Sequence, residues 1–248
     1  MIGFKVVNLD LLLQVKSEEQ IRTILNDFES PLNPDIESFL KYKAVEFSKS
    51  AIAKTYLVMA SYQGVNKIAG YFSVSGSKSF VVKTKGNEIS KSMKRRFNKF
   101  GTYDAVLKQY HIAAPLIGQL GKNYKYKELI TGDELLTMAV DMLRHVQSLV
   151  GGKFIYLECE NNEKLIEFYI RNGFKVFGER SLDSDEQDFA GHMLIQLLKY
   201  LWLALKFILK KVNGDSIHLF YCNDSISYIL QLDILEDILI YRNSKFSQ

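Results

Sequence analysis

Proline is scarce, at 3 in 248 residues, and no stretch is dominated by Pro, Gly and Ser. That leaves no room for an obvious flexible linker or a low-complexity segment. Cysteine is scarcer still. Cys159 and Cys222 lie far apart, form no CxxC pair and have no metal-ligand spacing, which excludes a disulfide scaffold and gives no metal site. Long uncharged apolar runs are missing too. The most apolar window, Met193 to Leu209, is interrupted by Lys199 and Lys206 and is too broken for a membrane span. No long apolar core follows Met1-Ile2-Gly3-Phe4-Lys5, so the start does not read as a signal peptide. There is no internal repeat. These absences lead to the expectation of a soluble, cytoplasmic protein.

What is present is a hydrophobic fraction of 47%, with 14 Tyr and 16 Phe, enough to bury a sizeable core. The net charge of +4 does not by itself demand a nucleic-acid partner. Its distribution is uneven. Between Ser77 and Phe100 the chain carries Lys78, Lys83, Lys85, Lys91, Lys94, Arg95, Arg96 and Lys99 against the single acid Glu88. Such a stretch is either a solvated loop or a phosphate-tracking surface.

The pattern alternates helix and strand. Phe4–Val7 reads as a strand, and Ser17 as the N-cap of a helix through Phe28. A second helix runs from Asp35 to Phe47. A hairpin follows, Thr55–Ala60 and Ile68–Val74, turning at Gln63-Gly64-Val65-Asn66. Then come a strand Ile112–Leu120, a helix Asp133–Leu149 ended by Gly151-Gly152, and a buried strand Phe154–Cys159. A helix Lys164–Arg171 closed by Asn172-Gly173 and strands Phe174–Phe177 and His192–Leu198 complete the domain. The order is mixed α/β with one β-α-β unit in the second half.

Three pieces carry chemistry. The strand ending Gly118-Gln119-Leu120-Gly121-Lys122 runs through a basic, aromatic loop into the helix opened by Gly132-Asp133-Glu134. A loop entering a helix offers free N–H groups and a positive dipole end, which suits a pyrophosphate. Lys122, Lys125 and Lys127 add charge there. The strand Phe154–Cys159 is followed by Asn162-x-x-Leu165-Ile166-x-Phe168-Tyr169-x-x-Asn172-Gly173-Phe174. The order and spacing of these pieces resemble the GNAT (GCN5-related) N-acetyltransferases. Where that family has Gln or Arg, two residues, Gly, one residue, then Gly or Ala, this chain has Lys127-Glu128-Leu129-Ile130-Thr131-Gly132, with Ile130 replacing the middle glycine.

The resemblance implies an α/β fold with a mixed, mostly antiparallel central sheet, a splayed strand pair and flanking helices over residues 1–200; the family pattern does not need residues 201–248, which are expected as an apolar α/β extension. It implies that acetyl-CoA lies in the splay as co-substrate, its pantetheine arm against the backbone of Leu120, Gly121 and Lys122. Its pyrophosphate would rest on Lys127, Glu128, Leu129, Ile130, Thr131, Gly132 and Asp133, and the side chain of Asn162 would bond the arm. Tyr169 would protonate the departing thiolate, and Glu158, with His111 as the other candidate, would take the proton of the amine. The activity implied is N-acetylation of a primary amine on a small molecule, a protein or an aminoacyl-tRNA. The run Phe39-Leu40-Lys41-x-Lys43-Ala44 with Thr55–Val58 and Ile68–Ser73 is similar to the toxin subgroup acting on aminoacyl-tRNA, which implies an antitoxin partner. A non-catalytic module binding acyl-CoA or a protein is the alternative.

The tail is expected to hold a strand, Ile217–Tyr221, and a helix from Asp224 or Ser225 with Ile226, Ile229, Leu230, Leu235 and Ile238 nearly all round it. Such a helix must be buried, either on its own domain or in a homodimer interface.

Overall fold

A computed structural model describes residues 3–84, 89–181, 193–201, 207–212, 216–223 and 226–228. By contacts the chain divides into two units, Met1–Leu201 and Trp202–Gln248. The first is built on a sheet in the order β1 (Phe4–Asn8), β2 (Lys54–Tyr62), β3 (Val65–Lys83), β5 (Gln109–Lys122), β6 (Phe154–Glu160), β8 (Met193–Tyr200) and β7 (Lys175–Ser181), with β4 (Gly101–Asp104) pairing the start of β5. Every pairing is antiparallel except β5 with β6. The helices are α1 (Leu9–Val15), α2 (Glu18–Leu25), α3 (Pro34–Ser38), α4 (Ala44–Lys49), α5 (Lys91–Phe100), α6 (Gly132–Val150) and α7 (Glu163–Arg171).

Local chemistry sets the element ends. Ser17 and Gln20 form a reciprocal capping box at α2, and Asn33 caps α3 just before Pro34. A π-turn at Phe39–Lys43 splits the long helix expected over Asp35–Phe47. Gln63 and Gly64 both have positive φ, which makes the tight β2–β3 turn. Gly151 and Gly173 end α6 and α7 with positive φ.

The helices cover both faces of the sheet. Tyr71 and Leu57 meet Ile21, Leu25, Phe28 and Leu40 in one buried cluster, so α1–α4 lie on the face that carries Tyr71. A side chain at Gly70, one residue away, would meet Leu135 of α6, so α6 lies on the other face. On the Tyr71 face, Phe97 of α5 packs with Phe80, Tyr110, Phe154 and Tyr156. Among the described residues the basic stretch is therefore not a loop: 77–83 extends β3 and Lys91–Phe100 is the helix α5, while 85–88 lie outside the described residues.

Asn123, wholly buried after β5, ties the first half together. Its Oδ1 accepts from the N–H groups of Glu29 and Lys125, and its Nδ2 donates to the carbonyls of Asp27 and Ile68. Asn123→Ala leaves buried backbone groups unpaired. We expect a loss of about 2–3 kcal/mol in denaturant unfolding, and a change under about 0.5 kcal/mol would refute that anchoring role.

In the second unit, β9 (Phe207–Val212), β10 (Ser216–Asn223) and β11 (Ile226–Tyr228) form an antiparallel sheet in the order β11-β10-β9. The strand expected at Ile217–Tyr221 is β10. The helix expected from Ser225 is corrected at its start, because Ile226–Tyr228 pairs as a strand with Tyr221–Asn223. Its remainder, 229–248, lies outside the described residues.

Candidate active site

β5 and β6 pair in parallel at two positions only, Leu116 with Tyr156 and Ile117 with Leu157. Beyond that point β5 runs on through Lys122 and β6 through Glu160 without pairing each other. The register against β3 also shifts there. Gln119 faces Ser73 and Ile117 faces Val74, so Gly118 is an extra residue in β5. A bulge bends the strand that carries it, and here the bend begins where pairing ends. One edge of Gly118–Lys122 is left without a strand among the described residues, and its backbone groups face the gap.

Gly121 has to be glycine. A Cβ there would stand 2.3 Å from Ile36 Cγ2 and 2.8 Å from Tyr71 Cε1. The close packing fixes the free edge against the α2–α3 segment. Asn33 of that segment also donates to Glu160 at the end of β6, at 2.9 Å.

At the mouth of the gap stands the N-terminus of α6. Thr131 and Glu134 make a capping box: the Glu134 carboxylate accepts from the Thr131 N–H at 2.8 Å, and Thr131 Oγ1 accepts from the Glu134 N–H. The N–H groups of Gly132 and Asp133 have no partner among the described residues. Asp133 is held by Arg171 at 2.8 Å and Asn172 at 2.7 Å, and the Asn172 and Arg171 bonds keep its carboxyl below the usual range. Its charge is thus neutralised, and the end of α7 is tied to the first turn of α6. Ile130, where a family glycine is expected, is 1% exposed and packs into the core. The loop is anchored by an apolar side chain instead of being left open. Of the three lysines expected beside it, Lys125 pairs with Asp27 at 2.7 Å and Lys127 lies 4.0 Å from Glu128, while Lys122 has no ion pair among the described residues.

Tyr169 of α7 is buried on the opposite side of β6 from Glu158, near Cys159, with edge contacts to Phe168 and Phe174. Burial, and then the neighbouring Cys159, push its phenol well above the usual tyrosine range. Burial also raises the Cys159 thiol to about 12, which leaves it an unreactive core residue. Lys199 holds the end of α7 by donating to the Asn172 carbonyl at 2.5 Å. Asn162 caps α7 through its Oδ1, leaving its exposed amide NH2 free to donate.

The two expected bases fare differently from Tyr169. His111 lies six residues before Ile117, roughly 20 Å down the strand at about 3.3 Å per residue, too far from the gap to act. Glu158 is at the gap but is engaged. Arg180 grips it with two bonds, at 2.8 and 2.6 Å, and Tyr156 and Gln196 donate to the same carboxylate. Burial pushes its pKa up, but the Arg180, Tyr156 and Gln196 bonds outweigh that and hold it below the usual range. A carboxylate so held is a poor proton acceptor, so the reading of Glu158 as free base loses its support. Arg180, Gln196 and Gln119 were missed in the sequence. Gln119 lies on the same face, with a buried Oε1 that accepts no hydrogen bond among the described residues. No motif marks these positions, since strand register alone brings them together.

A depressed carboxylate stabilises the fold at pH values above its unfolded pKa, near 4.3, and loses that contribution as the pH falls through its lower folded pKa. Glu158→Gln should therefore cost about 1.5–3 kcal/mol at pH 7, with the difference from wild type vanishing at the most acid pH. A pH-independent difference in urea titrations would contradict the ion pair.

Three solved structures share this architecture. AtaT complexed with acetyl-methionyl-tRNAfMet superposes with a TM-score of 0.52 at 16% identity, over 78% of this chain and 94% of that one. A tyrosine-to-phenylalanine mutant of KacT gives 0.50 at 15%, over 78% and 93%. A structure described as a bacterial toxin gives 0.51 at 12%, over 81% and 92%. The fold is the GNAT fold. No protein-family model matches the sequence, and no curated protein matches it. The splay of β5 and β6 is thus the splayed pair of the GNAT fold, shifted by one in strand count because β4 is inserted. Among the described residues no helix is long and apolar enough to cross a membrane, and no cluster of His, Cys, Asp and Glu could hold a metal.

Proposed function

We propose that the chain is an acetyl-CoA-dependent N-acetyltransferase whose acceptor is the α-amino group of an aminoacyl-tRNA. The observation that carries this reading is the bulge at Gly118 and the unpaired edge beyond it, which an extended pantetheine amide can complete as a strand would. The backbone of Leu120, Gly121 and Lys122 takes the arm, and Asn162 donates to it. The N–H groups of Gly132 and Asp133 at the start of α6, with the loop Lys127–Thr131 leading into them, take the pyrophosphate. The amine nitrogen attacks the thioester carbon, a backbone N–H on β5 stabilises the oxyanion, and the C–S bond breaks. Tyr169, protonated across the physiological range, gives its proton to the leaving sulfur and is reprotonated by the proton the amine sheds.

The acceptor class follows from the base. An alkyl ammonium with a pKa of about 10.4 needs a strong base, whereas an α-amino group with a pKa of about 7.7–8.0 is substantially neutral at physiological pH. With Glu158 locked by Arg180, the α-amine is the better match. The tRNA complex of AtaT, which shares the fold, supports the same class. The test is incubation of the full chain with labelled acetyl-CoA and either aminoacyl-tRNA or a lysine side-chain amine. Label on the aminoacyl α-amine is expected. Label on lysine alone would overturn the acceptor, and binding of acetyl-CoA with no turnover on any amine would favour the non-catalytic module.

A further inference from the structure

α5 and the short strand β4 are inserted between the neighbouring sheet strands β3 and β5. The helix sequence, KSMKRRFNKF, divides cleanly by helical period. Met93, Phe97 and Phe100 turn to the sheet, where Phe97 is 2% exposed and contacts Tyr110 and Phe154. Lys91, Lys94, Arg95, Asn98 and Lys99 fall at i, i+3, i+4, i+7 and i+8, and all are exposed. The four cations form no ion pair among the described residues. They make a stripe about 12 Å long at about 1.5 Å per residue. Arg96, by contrast, is turned away, its guanidinium 4.0 Å over the ring of Tyr200. On the strand that follows α5, Tyr103 is 45% exposed and its ring lies tilted against Tyr110 at 4.8 Å between centroids, offering an aromatic surface.

Position matters as much as charge. Leu116 is registered with Ser75 on β3 and with Tyr156 on β6, so α5 under Tyr156 shares the sheet face of Tyr71, Ser73 and Glu158. That is the face opposite Tyr169 and α6. Phe97 seats α5 against Phe154, six residues or roughly 20 Å along β6 from Glu160 at the open end. No small amine reaches both places, but an extended polyanion does. A bilayer is a poor fit, because a membrane-surface helix needs a free apolar face and that of α5 is spent on the sheet.

We propose that the exposed stripe Lys91, Lys94, Arg95 and Lys99 docks the phosphate backbone of the RNA acceptor, holding it along the sheet while its aminoacyl end enters the gap between β5 and β6. This rests on the aminoacyl-tRNA reading given above. The test uses the full chain and a Lys94→Glu/Arg95→Glu variant, with Lys94→Gln/Arg95→Gln as a milder pair. Bulk deacylated tRNA is titrated at several salt concentrations, and acetylation of methionine methyl ester is followed in parallel. Each phosphate contact contributes about 0.9 to the slope of log affinity against log salt. The charge-reversed variant should bind tRNA at least about 10-fold more weakly, with a slope shallower by about two, and acetylate the ester at the wild-type rate. Equal tRNA affinity and slope in both proteins overturn the docking surface, as does a wild-type chain that binds no tRNA but captures anionic vesicles or an acidic protein. If the wild type binds tRNA through the stripe yet does not acetylate aminoacyl-tRNA, the docking surface stands and the substrate reading fails.

Discussion

Replacing Tyr169 by Phe is expected to lower the turnover number by about 10²–10⁴ while leaving acetyl-CoA affinity nearly unchanged. The phenol is buried, and its contacts to Phe168 and Phe174 are ring contacts that phenylalanine reproduces. The substitution therefore removes a proton donor and little packing. Burial and Cys159 keep the hydroxyl protonated, so the wild-type rate should show no loss from Tyr169 ionising anywhere below the usual tyrosine range. Single-turnover measurements check this. A variant with wild-type chemistry would leave Tyr169 as a core residue and remove it from the mechanism.

The second large effect is expected at Gly132. It is the first residue of α6, and its N–H is one of the two donors left free by the capping box. A Cβ at this position would lie 3.3 Å from Phe168 Cε2, a contact that a small shift of the ring relieves. Gly132→Glu should therefore fold. It would add a third carboxylate beside Asp133 and Glu134, where a diphosphate has to approach. Like charges brought together cost several kcal/mol, so acetyl-CoA affinity should fall by at least about 100-fold. Calorimetry that finds unchanged affinity would separate this loop from the phosphates.

Much of the frame was legible because it is local. Ser17, Gly151 and Gly173 end helices by chemistry that a few neighbouring residues specify, and the structure has those ends in place. The loop before Gly132 was legible as a helix start for the same reason. Long-range register was not legible. Glu158 looks like a free strand-end acid in sequence, and only the pairing of β6 with β8, and of β8 with β7, brings Gln196 and Arg180 to it. Lys125 looks available to a phosphate in sequence, but the turn after α2 brings Asp27 to it. Asn123 reads as an ordinary loop residue, yet three of its four side-chain bonds join segments more than 50 residues apart. α1, with its short run Leu9–Val15, was missed because one apolar turn after a strand carries little periodic signal. The basic stretch was ambiguous because Met93, Phe97 and Phe100 are too few to announce a buried face until the aromatic cluster beneath them is seen.

The central claim is that an acyl-CoA completes the open edge of β5. Amide hydrogen exchange of the full chain, with and without saturating acetyl-CoA, tests it most directly. The account predicts new protection at Gly118–Lys122 and at Thr131–Glu134, with Gln109–Ile112 unchanged because β3 and β4 already hold both of its edges. Acetyl-CoA that binds while leaving Gly118–Lys122 exchanging as before would contradict it.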